Sequence, residues 1–123
     1  MSVIGEKLAD FTAKMTSATI SKTGNVLNME SDLGPFGTAT YTTTFGAPID
    51  SEGVTGQITE QGTIFGLDGG MQTFVSSGTW RKTGHHRWKV TLITLSADGQ
   101  RTLSVEEYQL ASRSSKGTVY QLD

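Results

Sequence analysis

Strict alternation of side-chain character is the clearest pattern in this chain, and alternation with a period of two predicts β-strands. Residues 37–45, GTATYTTTF, show it best. Two faces separate there, one carrying Thr38, Thr40, Thr42 and Thr44 and the other carrying Ala39, Tyr41, Thr43 and Phe45. This segment is therefore predicted to be a half-buried strand.

The same pattern divides most of the chain into strands joined by turns. We expect strands near residues 11–20, 25–30, 37–45, 54–65, 71–82, 86–96, 101–111 and 116–122. Asp98-Gly99 predicts a two-residue hairpin, because a type I′ turn needs positive φ at both central positions. Residues 2–10 are compatible with a helical turn or an irregular lead-in.

Consecutive hairpins leave two exposed sheet edges unless the sheet closes on itself. We therefore expect an all-β fold, an up-and-down antiparallel barrel of about eight strands, as a single domain over residues 1–123. Gly56, Gly62 and Gly78 lie within predicted strands, where glycine permits a bend or the close approach of another group. A structural role is favoured over ligand contact at these three positions.

Composition and charge narrow the class of protein. The chain has 15 glycines, no cysteine, 35% hydrophobic residues and a net charge of −2. Nucleic-acid binding is not expected, because it usually requires a basic domain. Lack of cysteine excludes disulfides and thiolate chemistry. We find no apolar stretch typical of a signal peptide or a membrane span, so we expect a bacterial-type cytoplasmic protein without a membrane partner.

The predicted Asp98-Gly99 turn fixes a register, and the register assigns the interior. Pairing Ala97 with Gln100 sets Leu92 opposite Val105 and Val90 opposite Glu107. Paired residues share a face, so Glu107 is predicted to point inward and Glu106 outward.

Other strands add to this predicted interior. The hairpin through Arg113-Ser114 would bring Tyr120 close to Glu107, and Glu60 is a second inward carboxyl group. A three-residue loop at Thr83-Gly84-His85 would set Trp80 opposite Trp88. The predicted ligand-binding residues of the lumen are Tyr41, Phe45, Gln72, Phe74, Trp80, Trp88 and Thr94.

Motifs for metals, phosphates or nucleophiles are weak. His85 and His86 are neighbours, so a regular strand points them to opposite faces, and a solvated hairpin tip is favoured over a metal site. Neither a phosphate-binding loop nor a nucleophile–His–Asp order is present. We therefore expect no metal and no cofactor. The cations Arg81, Lys82, Arg87 and Lys89 predict an exposed face, with anion binding or pairing with carboxylates of a second subunit as the alternatives.

The succession of hairpin-linked strands, with Gly-Thr strand starts at residues 62–63, 78–79 and 117–118, resembles small bacterial barrels of the calycin-like and allene-oxide-cyclase-like kind. The resemblance is architectural and covers roughly residues 11–122. It implies a ligand held in the lumen, and it transfers no catalytic residue.

Three hypotheses follow from these patterns. The first is a barrel that binds a small, mainly apolar molecule in its lumen. The second is a cofactor-free isomerase or cyclase that uses Glu107 with Glu60 or Tyr120. The third is a non-catalytic assembly protein, for which a homodimer would cover an outer apolar patch of Met71, Val75, Ile93, Leu95 and Leu110.

Overall fold

Eight antiparallel strands form a closed barrel in the computed structural model, which describes residues 4–122. Every strand pairs with its neighbours in sequence, and β8 returns to β1. The strands are β1 (Ile4–Ser21), β2 (Gly24–Asp32), β3 (Thr38–Pro48), β4 (Thr55–Phe65), β5 (Met71–Gly84), β6 (Arg87–Ser96), β7 (Arg101–Gln109) and β8 (Ser114–Leu122). The predicted fold class is confirmed.

Strand β1 closes the barrel because it is long enough to pair on both sides. Its 18 residues contact β8 and β2, and Lys14 pairs with both Ser114 and Glu30. Both alternatives for residues 2–10, a helical turn or an irregular lead-in, are therefore wrong from Ile4 onward, where the chain is already strand; residues 2–3 lie outside the described part. A short 3-10 helix, Gly34–Phe36, joins β2 to β3, and no helix within residues 4–122 has the length and apolarity to cross a bilayer.

The hairpin between β5 and β6 keeps the predicted faces but not the predicted pairing. Trp80 lies opposite Val90, and Lys82 lies opposite Trp88, so the two tryptophans are not partners. The loop is the pair His85-His86, with His86 at φ 58°, rather than Thr83-Gly84-His85. Because the shift is an even number of residues, Trp80 and Trp88 still occupy the inner face.

The observed pairing of β6 with β7 is shifted by one residue from the predicted pairing, and this shift exchanges the inner and outer faces of β7. Ser96 donates its N–H to the carbonyl of Gln100, and Gly99 has φ 87°, so the loop contains three residues, Ala97 to Gly99. Val90 consequently lies opposite Glu106. A slip of one residue exchanges the two faces of a strand, so the predicted orientation is wrong: Glu106 points inward and Glu107 outward.

The last hairpin places Tyr120 away from the predicted partner. Glu107 pairs with Lys116, whereas Tyr120 pairs with Leu103. Both Glu107 and Tyr120 belong to the outer face of the barrel, because Glu106 and its partner Gly117 occupy the inner one. The predicted inward pair of Glu107 and Tyr120 is therefore wrong.

Large side chains pack together in one half of the barrel. Phe45 is central there, with its ring centroid 5.2 Å from that of Tyr108 and 5.9 Å from that of Trp88. Trp80 donates its indole N–H to the carbonyl of Gly46 at 3.1 Å. Other buried members of this half are Leu27, Ile58, Val90 and Leu92. This packed half is the end of the barrel that holds the His85-His86 loop.

Glycines leave space for large side chains in both halves of the barrel. A Cβ atom on Gly56 would lie 2.5 Å from the indole nitrogen of Trp80, so only glycine leaves space for that ring. A Cβ atom on Gly117 would lie 2.6 Å from Cγ of Glu106 and 2.9 Å from the ring of Phe11. Gly56 and Gly117 thus permit the close approach of large side chains, and for Gly56 this is the structural role favoured from the sequence.

Candidate functional site

The other half of the barrel is hollow and contains a cavity of about 330 Å³. Its outer end is bordered by Leu33 and Phe36 of the β2–β3 connection and by Gln100 of the β6–β7 hairpin. Apolar and aromatic side chains form most of the wall, namely Leu8, Phe11, Ala39, Tyr41, Ile64, Phe74 and Val119. Such a mixture of apolar walls with few polar groups is typical of small-molecule sites.

Glu60 lies at the level where the hollow half meets the packed half. It is 8% exposed, lines the cavity and pairs with Thr43 across β3 and β4. The Thr43 hydroxyl donates to Oε2 of Glu60 at 2.9 Å. The Tyr108 hydroxyl lies 3.2 Å from Oγ1 of Thr43 and 3.4 Å from the same carboxyl oxygen. These three side chains form a buried polar cluster at the inner end of the cavity, which we call the floor of the cavity.

Glu106 is a second carboxyl group at this floor. It is 2% exposed, and its Oε2 accepts a hydrogen bond from the Ser104 hydroxyl at 3.2 Å. Both residues line the cavity. Gly117 on β8 gives the Glu106 side chain its space, since any larger residue there would meet Cγ.

Burial changes the protonation of both carboxyl groups. Loss of hydration raises the pKa of Glu60 to about 7, although the hydrogen bonds from Thr43 and Tyr108 oppose the rise. Burial raises the pKa of Glu106 well above its ordinary value, and the negative charge of Glu60 raises it further. At the floor, burial therefore favours the protonated form of Glu106, and Glu60 titrates near neutral pH.

Three buried polar atoms at the same level have no hydrogen-bond partner within the described residues. They are the Tyr41 hydroxyl, Oε1 of Glu106 and the Ser115 hydroxyl. Burial, together with the charges of Glu106 and Glu60, raises the pKa of Tyr41, which keeps its hydroxyl protonated. The Tyr41 hydroxyl lies close to those of Ser115 and Tyr108, and Glu106 lies close to the Tyr108 hydroxyl, so these polar groups form one buried cluster whose hydrogen bonds are poorly aligned.

The residues predicted for the lumen divide between the two halves. Tyr41, Gln72, Phe74, Thr94 and Glu60 line the cavity. Phe45, Trp80 and Trp88 point inward but belong to the packed half, so they do not line it. Thr94 is fixed at the wall by a 2.7 Å hydrogen bond between its hydroxyl and that of Ser76.

Several floor residues are not among the sequence-predicted site residues. Thr43 shares a face with Tyr41 in the alternation of residues 37–45, and that alternation already places it inward. The predicted β6–β7 register puts Ser104, Glu106 and Tyr108 on the outer face, which the observed register reverses. The signal that could have found them is a second alternation in β7, where Thr102, Ser104, Glu106 and Tyr108 share one face.

The outer surface carries the other sequence-predicted features. His85 and His86 are exposed at the tip of the β5–β6 hairpin, and Arg81, Lys82, Arg87 and Lys89 are exposed beside it. No three His, Asp or Glu residues in the described chain approach closely enough to hold a metal ion. Met71, Val75, Ile93 and Leu95 are exposed as expected, whereas Leu110 packs against the core and does not belong to the outer patch.

Comparison with known proteins gives no further assignment. No family model matches this sequence, and neither a curated protein nor a solved structure matches the chain. The geometry of the cavity is therefore the basis for assigning a function.

Proposed function

We propose that the protein binds a small, mainly apolar molecule in the hollow half of the barrel. The observation that carries this proposal is the cavity of about 330 Å³ with apolar walls and a polar floor. Its size lies at the lower end of the range for ligand pockets. The family assignment stays part of the proposal, since a closed antiparallel barrel of eight strands is consistent with the calycin-like and allene-oxide-cyclase-like resemblance.

The division of the interior supports binding over a purely structural role. A barrel of eight strands can be filled by its own side chains, and the packed half of this molecule is filled in that way. The hollow half instead keeps two carboxyl groups under an apolar wall, and Oε1 of Glu106 and the Tyr41 hydroxyl form no well-aligned hydrogen bond. Buried polar groups without partners cost stability, and a ligand with a polar end would offset that cost.

A direct test uses 2-naphthylmethanol, a neutral probe with an apolar body and one hydroxyl group. We expect saturable binding to the wild-type protein, measured by isothermal titration calorimetry. Ile64→Trp adds a bulky ring to the cavity wall and should abolish binding, whereas Gln61→Trp on the outer face of the same strand should not. Equal binding by both variants would contradict the proposal.

Acid–base catalysis is a second candidate function, favoured by one observation. Glu60 lines the cavity with a pKa of about 7, the range that suits a general base at neutral pH. Its carboxylate would take a proton from a carbon next to a carbonyl group. The protonated Glu106, or Tyr41, would donate a proton to the carbonyl oxygen, which gives the enol.

Deuterium exchange into the methyl group of 2-acetonaphthone tests this second candidate. In heavy water at neutral pH, the wild-type protein and Glu107→Gln should accelerate the exchange, and Glu60→Gln should not. The matched control is informative because Glu107 is exposed on the outer face. If exchange in the presence of the wild-type protein equals the rate in buffer, proton abstraction is not a function of this cavity.

A further inference from the structure

The charges that face the cavity are all of one sign. Glu60 and Glu106 are the ionisable acids of its lining, which includes no Lys, Arg or His among the described residues. The other titratable groups that face Glu60 are the phenols Tyr41 and Tyr108. A carboxylate formed at this floor therefore has no positive partner within the described part of the chain, and an unpaired buried charge is costly.

Free oxygen atoms at the floor point to a ligand that donates hydrogen bonds. Glu60 accepts both of its hydrogen bonds at Oε2, so its Oε1 accepts none from the described residues. Independently of the two acids, the buried Tyr41 hydroxyl forms no well-aligned hydrogen bond, although the Ser115 and Tyr108 hydroxyls are close to it, and Tyr41 lines the cavity. An ammonium group has several N–H donors and no acceptor, which matches this set of oxygens.

The rings above the floor suit the apolar body of such a ligand. Tyr41 and Phe74 meet edge to face with centroids 6.1 Å apart, and Phe11 and Phe36 line the same space. We propose that the ligand of this lumen is a small amphiphilic amine, whose protonated nitrogen contacts Glu60 and Tyr41 and whose apolar body occupies the aromatic wall. This inference rests on the proposed function and adds the chemical class of the ligand.

The proposal predicts that binding is linked to proton release. A cationic ligand favours the ionised form of Glu60, while burial and the charge of Glu60 favour the protonated form of Glu106. Since Glu60 is largely protonated at pH 5, affinity for the cation should rise by up to about tenfold per pH unit below the pKa of Glu60 and level off near pH 8. Anionic ligands of the fatty-acid kind should be rejected, because the floor offers them carboxyl groups and no cation.

Three probes that share one ring system test the inference: 2-naphthylmethylamine, 2-naphthylmethanol and 2-naphthoate. At pH 8, titration calorimetry with the wild-type protein should give at least about tenfold tighter binding of the amine than of the alcohol, and no binding of the carboxylate. Calorimetry in buffers of different ionisation enthalpy at pH 6 should report proton release with the amine alone.

Matched variants locate the effect. Glu60→Gln keeps the volume of the side chain and should remove the preference for the amine, whereas Glu107→Gln should keep it. If the alcohol binds the wild-type protein as tightly as the amine, the inference is wrong and the proposed function stands. If none of the three probes binds, the proposed function itself fails. The three probes distinguish these outcomes on the wild-type protein even if Glu60→Gln does not fold.

Discussion

The hydroxyl of Thr43 donates a 2.9 Å hydrogen bond to Oε2 of Glu60, and neither side chain is more than 8% exposed. The two residues are direct partners across β3 and β4, so the bond follows from the register of the sheet. It positions one carboxyl oxygen in the packed half and leaves the other for the cavity. The hydrogen bond from Thr43 thus affects both the stability of the barrel and the pKa of the Glu60 carboxyl group.

Thr43→Val should lower the free energy of unfolding by about 1–3 kcal/mol, because a buried carboxyl group loses its closest donor while the volume is kept. The same change should raise the pKa of Glu60 further, since the hydrogen bond from Thr43 lowers it. Urea unfolding and carbon-13 NMR titration of the carboxyl groups measure the two effects. Thr40→Val on the exposed face of the same strand is the control; equal losses in both variants would contradict the role of Thr43.

The two buried carboxyl groups predict an unusual dependence of stability on pH. A glutamate with a raised pKa binds more protons folded than unfolded, so the free energy of unfolding falls as pH rises. For Glu60 the loss should begin near pH 4.5, the ordinary value, and amount to on the order of 3 kcal/mol by pH 7. Thermal unfolding between pH 4 and pH 9 checks this sign.

Substituting either buried glutamate should flatten that pH profile, whereas substituting an exposed glutamate should not. Glu106→Gln and Glu60→Gln should each lose less stability than the wild-type protein between pH 5 and pH 8, because one titrating group is gone. Glu107→Gln should follow the wild-type profile, since Glu107 is exposed. A profile flattened by Glu107→Gln and not by Glu106→Gln would reverse the assigned faces of β7.

The fold is largely predictable from the sequence, and the floor of the cavity is not. The alternation in residues 37–45 places Tyr41 and Phe45 inward, and Trp80 keeps its face despite a wrong partner because the shift is even. In β7 the apolar residues Leu103 and Val105 point outward, so their pattern favours the wrong face. The β6–β7 loop also contains one residue more than predicted, with Gly99 at positive φ. This extra residue leads independently to the same wrong face for β7.

That failure has a physical reason. The inner face of β7 carries Ser104 and Glu106 beside Tyr108, and an interior selected for packing alone would exclude the first two. Local rules of sequence interpretation fail most often where a protein departs from optimal packing for function. The division into a packed and a hollow half is also beyond the sequence, because it depends on how side chains from several strands meet.

Gly117→Ala should destabilise the barrel by about 1–3 kcal/mol. The added Cβ would lie 2.6 Å from Cγ of Glu106 and would therefore overpack the interior. Probe binding should weaken with it, since Glu106 must move. Gly84→Ala is the matched control, as its Cβ would meet Arg87 at an ordinary 3.7 Å. Equal unfolding midpoints for the two variants would show that Gly117 is not needed for space.

Ile64→Trp, which fills the cavity, should preserve or raise the unfolding temperature, because the ring enters empty space beside an apolar wall. The same substitution in a filled interior would overpack it and cost stability. Scanning calorimetry therefore distinguishes a hollow half from a filled one without any ligand. A marked drop in the unfolding temperature would mean that the side chains already occupy this space.

Methyl NMR with 2-naphthylmethanol tests the central claim most directly, since it reports where in the barrel a ligand lies. Saturating probe should shift the methyl resonances of Ala39, Ile64 and Val119, which line the cavity. Leu27, Ile58 and Val90, in the packed half, should shift far less. Shifts confined to Ile93 and Leu95 on the outer face, or no shifts at all, would contradict a ligand site in the hollow half of the barrel.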